Sequence, residues 1–210
     1  MIMKYIKEPV NALTHLSAAV LAVPATVYLL VLAAGGVERF SFLIFGLSMV
    51  ALYTASAIYH MLRVSPRYER VLRKLDHSMI FLLIAGTYTP ICLISLKGPW
   101  GYGLLAVIWS LALAGVLLKL FWIEAPRWLS TAIYLGMGWL CIFAFYPMIK
   151  ALSGRAFLWL LAGGVFYSIG AVIYGRKKCL FSWHLGFHEV FHVFIMLGTA
   201  CHYITLLSIA

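Results

Sequence analysis

Two histidines four residues apart, with a glutamate between them, stand in the apolar stretch FHEVFHVF over residues 187–194. On a helix His188 and His192 fall on one face a turn apart, where two imidazoles can chelate one metal ion. The same five residues, HEVFH, match HExxH, in which Glu189 would be a general base beside two zinc ligands and a later acidic residue would be the third ligand. Nothing acidic follows Glu189, which weakens this intramembrane metalloprotease reading. Other residues of the same chemical kind lie far upstream. Ser56 and His60 are four apart in SAIYH, Asp76 opens KLDHSMIF, and Glu8, Asn11 and His15 in EPVNALTH follow one another at spacings of three and four.

Whether these residues meet depends on the elements that carry them. The 210 residues are 64% hydrophobic and 10% charged, with a mean hydropathy of +1.00, a composition of the membrane and not of soluble domains. A bilayer core of about 30 Å takes about 20 helical residues per crossing, so the chain has room for about seven spans and short connections. Apolar runs of this length are helical, since barrel strands alternate over shorter segments. The reading is an all-α integral membrane protein: a single domain over 1–210, a seven-transmembrane helix bundle with spans near 12–34, 41–62, 76–96, 101–119, 128–149, 156–175 and 184–208. The first run is too long for the apolar region of a cleaved signal peptide and is taken as a retained helix. Pro24, Pro90 and Pro147 fall within spans and should kink them. Cys92, Cys141, Cys179 and Cys201 have no paired spacing and suit apolar packing better than a disulfide or thiolate site.

Charge orients the bundle. Twelve of the sixteen Lys and Arg residues fall at the N-terminus and in the second, fourth and sixth connections, among them Arg73, Lys119 and Arg127. Short cytoplasmic loops collect such residues, which places the N-terminus in the cytoplasm and the C-terminus outside. The net charge of +10 is then a juxtamembrane feature facing anionic headgroups, and nucleic acid is excluded as a partner.

With that orientation the second span ends, and the third and seventh begin, on one side of the membrane. Ser56, His60, Asp76, His188 and His192 therefore share one layer. Three imidazoles with a fourth position for water make a catalytic type of zinc site, so His60, His188 and His192 are the metal ligands expected, with Asp76 and Ser56 holding the water or supporting the ligands. A carboxylate beside such a water suits hydrolysis. A lone membrane histidine more often bonds a neighbouring helix, and the convergence is what favours metal for His60. His77 and His184 are expected at the interface as solvated side chains. His202 lies ten residues beyond His192, about 15 Å deeper at helical rise, and is expected to make a helix contact. Glu8, Asn11 and His15 either support the site or cap the first helix, whose Pro9 suits a first turn.

Taken together, EPVNALTH, SAIYH, KLDHSMIFLLIAGTYTP and HEVFHVFIMLGTACHY resemble the haemolysin III-related bacterial proteins, within the wider progestin and adiponectin receptor group. The resemblance runs over almost the whole chain. It implies seven helices with a cytoplasmic N-terminus in the bacterial inner membrane, a zinc held by His60, His188 and His192, and Ser56 and Asp76 nearby. Related receptors and alkaline ceramidases imply hydrolysis of lipid amide bonds, and the bacterial branch a link to membrane lipid homeostasis; the leading reading is a zinc-dependent hydrolase of a membrane lipid amide or ester, with membrane lipids as partners. Glu189 carries no assigned role in the group. A sensor or regulator with structural zinc, and a haemolysin-like pore, are the readings from other classes.

Overall fold

Helix is the regular structure throughout residues 6–178 and 185–210, which the computed structural model describes, and no strand occurs among them. Helix α1 (Pro9–Leu32) begins on a proline whose missing N–H costs nothing at a first turn, and α3 (Pro66–Pro90) begins the same way. Between them α2 (Gly36–Met61) is closed at its start by the Glu38 carboxylate, which accepts from the Gly35 N–H at 2.7 Å. The chain continues through a π-helical turn (Ile91–Leu96), α4 (Gly98–Phe121), α5 (Arg127–Trp139), a 3-10 turn (Leu140–Ala144), α6 (Phe145–Ala151), α7 (Gly154–Arg176) and α8 (Phe187–Leu207). The stretch from α5 through α6 counts as one span, which makes seven helical segments long and apolar enough to cross a membrane among the described residues.

The third span departs most from expectation. Its helix starts at Pro66, not near 76, because hydropathy marks only the part in lipid while the polar turns RYERVLRKL extend the same helix. His184, Cys179 and Lys4 lie outside the described residues. Of the prolines, Pro24 is accommodated inside α1, Pro90 precedes the π turn, and Pro147 follows the 3-10 break. At that break Tyr88 stands in for the lost helical partners: its hydroxyl donates to the Met137 and Gly138 carbonyls at 2.9 and 2.7 Å, and it accepts from the Cys141 N–H at 3.0 Å. An interrupted helix survives at membrane depth only with such replacements.

Helix α1 packs along α2, α2 on α3, α3 on α4 and α7 on α8, and α8 closes back onto α1. Small residues allow the closest approaches. A Cβ on Gly163 would lie 2.7 Å from the His202 ring, and one on Gly198 would lie 2.3 Å from the Tyr167 ring. The outward faces are apolar, with Val31 74% and Leu158 66% exposed, a surface suited to lipid tails. The polar residues turn inward: Asn11, His15, Ser56, His60, Asp76 and His192 are all buried.

Candidate metal centre

The site is assembled where α2 ends and α1, α3 and α8 begin. Backbone bonds fasten the N-terminal segment to the end of α2: the Glu8 N–H donates to the His60 carbonyl at 2.9 Å and the Lys7 N–H to that of Met61 at 3.2 Å. His60, His188 and His192 each offer a ring nitrogen, and the three nitrogens lie within 4.8 Å of one another. Ring centroids are 4.9 Å apart for the two pairs that include His192, and 5.0 Å for His60 and His188. A tetrahedral ion with metal–nitrogen distances of about 2.0–2.1 Å sets its ligands about 3.4 Å apart, so small ring movements would close this triad on an ion.

The hydrogen bonding fits a ligand set. The Nδ1 hydrogen of His60 is donated to Glu8 Oε2 at 2.7 Å, while Nε2 of the same fully buried ring has no partner among the described residues. A carboxylate on one nitrogen fixes the tautomer and leaves the other as a lone-pair donor, the usual support of a metal-bound imidazole. Glu8 is itself held by Asn11, whose Nδ2 donates to Oε2 at 2.8 Å. The bond from His60 is the main reason that the Glu8 carboxyl is lowered from its ordinary 4.5 to about 2, so it is ionised throughout the neutral range.

The side chains of Glu8 and His15 lie against the histidine cluster, Glu8 on His60 and His15 on His192. The Glu8 side chain makes no cap bond to α1. His15 stacks on His192 with centroids 3.6 Å apart and planes 9° off parallel, and neither of its ring nitrogens has a partner among the described residues. Ser56 and Asp76 are both buried, 1% and 7% exposed. They share the wall of one cavity with His15, His188 and His192. His202 stands apart from the triad, buried against Gly163 and lining the deeper part of that cavity. Glu189 is not on the cavity wall.

Two expectations fail at the basic end of the bundle. His77 is not a solvated interfacial side chain: its Nδ1 is shut off from solvent and it lines the cavity. Lys119, expected in a headgroup-facing loop, is 1% exposed and turned inward onto the Ser130 hydroxyl. Its one sequence signal is that it stands alone among the apolar residues of α4.

The model of one protein family, described as Haemolysin-III related, matches residues 3–203. The chain belongs to that family. This haemolysin-III related protein is 41% identical to Hemolysin-3 of Bacillus cereus over 203 residues, 94% of this chain and 89% of the relative. It is also 41% identical to the Hemolysin-3 homolog of Bacillus subtilis (strain 168) over 206 residues, 96% and 94% of the two chains. More distantly, it is 24% identical to the human Monocyte to macrophage differentiation factor over 172 residues, 79% of this chain and 68% of the relative. No solved structure gives a significant match. Family and apolar helices together make this haemolysin-III related chain a multi-pass bacterial membrane protein.

Proposed function

We propose that His60, His188 and His192 hold zinc and that the protein is a zinc-dependent hydrolase of membrane lipid amide or ester bonds. One observation carries the reading. Asp76, Ser56, His188 and His192 line a cavity of about 640 Å³ whose remaining wall is largely apolar, through Leu83, Ile84, Leu104 and Phe157. That volume is typical of a small-molecule site and accommodates an acyl chain. Zinc bound there supplies a Lewis acid and lowers the pKa of a water to about 7. In this reading the Asp76 carboxylate is the group that takes a proton from water, with Ser56 on the same wall. Glu8 keeps His60 in the ligating tautomer, and the apolar wall excludes bulk water from the acyl linkage. The excess of basic residues at this end supports a cytoplasmic placement of the site.

The test is turnover of defined acyl-amide and acyl-ester lipids by the zinc-loaded protein in proteoliposomes, with products read by mass spectrometry. Wild type should release fatty acid, and Asp76→Asn should keep its zinc while losing about 10²-fold or more in rate, the usual contribution of a general base. Absence of release from either lipid class, or full activity of zinc-loaded Asp76→Asn, would leave zinc in a structural role within a sensor.

A further inference from the structure

Inside a membrane protein, a cation turned away from water with no counterion calls for an explanation, because desolvation of a charge must be offset by a partner. Lys119 is such a cation. A lysine in the last turn of a membrane helix ordinarily extends its stem to place the ammonium among headgroups. In this fold Lys119 points inward, and its hydrogen-bond partner among the described residues is the neutral Ser130 hydroxyl. Arg127, at the start of α5 and one turn before Ser130, lines the same cavity: its guanidinium lies 4.6 Å from the Tyr174 ring centroid and 5.4 Å from that of Phe187, and its Nη1 is buried without a partner among the described residues.

The local charges do not balance. Arg73, Lys119 and Arg127 line the cavity together with His77. Glu124, on the same wall, is already paired with Arg73 at 2.8 Å. Asp76 makes no ion pair with Lys119 or Arg127 among the described residues. Two cations therefore face the cavity with no described carboxylate to neutralise them.

We propose that Lys119 and Arg127 form a seat for an oxyanion, a phosphate or carboxylate, at the mouth of the cavity. An anionic lipid headgroup and free inorganic phosphate are two sources of that chemistry. The guanidinium offers paired N–H donors and the ammonium a point charge, a combination suited to phosphate oxygens. The Tyr174 ring under the Arg127 guanidinium lies 5.6 Å from the His188 ring, so a headgroup seated there is one side chain away from the histidine triad, and its acyl chains have the apolar wall to follow. The seat does not rest on hydrolysis, because it holds an anion whether or not a bond is cut.

The experiment measures binding to the purified full-length protein in neutral detergent, using short-chain phosphatidylglycerol, short-chain phosphatidylcholine and inorganic phosphate as probes. Phosphatidylglycerol, phosphate or both should bind about tenfold or more tighter than phosphatidylcholine. Lys119→Met and Arg127→Gln should each lose about tenfold, the size of one charge-assisted hydrogen bond, at unchanged metal content. Lys119→Arg keeps the charge and should keep most of the affinity, which covers the case in which Lys119→Met fails to fold. Phosphate that competes with phosphatidylglycerol, or that binds alone, makes the free ion an occupant. Binding of phosphatidylglycerol alone makes the lipid headgroup the occupant. Equal binding of all three probes, or wild-type affinity in folded Arg127→Gln together with wild-type affinity in folded Lys119→Met, overturns the seat.

Discussion

Glu8 and His60 are joined twice, by a backbone bond of 2.9 Å and by a side-chain bond of 2.7 Å from Nδ1 to Oε2. The segment that precedes the first membrane helix thus serves as the outer support of a histidine at the end of the second. The side chain cannot turn without breaking the one bond, and the segment cannot leave without breaking both.

Removing the carboxylate should therefore loosen metal and leave the bundle standing. Glu8→Ala is expected to weaken metal retention by about 10–100-fold in competition with a chelator, the range for an outer-shell partner of a ligating histidine. Glu8→Gln keeps a neutral acceptor and should lose less. Equal retention in wild type and Glu8→Ala would show that His60 needs no such support.

Glu189 separates this site from the metalloprotease motif it mimics. It sits between the paired histidines in sequence, yet it is absent from the cavity wall that carries Asp76. Glu189→Gln should keep full metal content and any lipid turnover. A loss of turnover by about 10² or more at full metal content would restore the glutamate to the role of base.

Packing between α7 and α8 makes a prediction independent of chemistry. A Cβ on Gly170 would lie 2.9 Å from the Cβ of Phe194, which is fixed to its backbone. Gly170→Ala should cost about 1–3 kcal/mol and lower the unfolding temperature in detergent by several degrees. Gly103, where a Cβ meets nothing within 4 Å, is the matched control, and its change to alanine should not lower that temperature.

Seven spans are readable from the sequence because lipid demands long apolar runs, and this signal is strong in each of them. Where a helix leaves the lipid the same signal stops, so the start of α3 read from hydropathy falls ten residues too late. The triad is legible because depth follows from span order and charge: His60 could be matched with His188 and His192 without any contact being known. Glu8 was ambiguous, since a glutamate before Pro9 also looks like a cap, and only the docking of residues 7 and 8 on the end of α2 decides it. The inward turn of Lys119 is invisible in the sequence for a physical reason. Hydropathy and charge counts give a residue's height along the bundle but not the direction in which its side chain turns, and Lys119 turns inward.

The central claim is that three histidines from α2 and α8 hold one metal ion, and metal analysis of the purified protein tests it most directly. The expected result is about one zinc per chain in wild type, with the zinc lost when His188 and His192 are both changed to alanine in a protein that remains folded. Wild-type protein without stoichiometric metal, or a double variant that keeps its zinc, would contradict it.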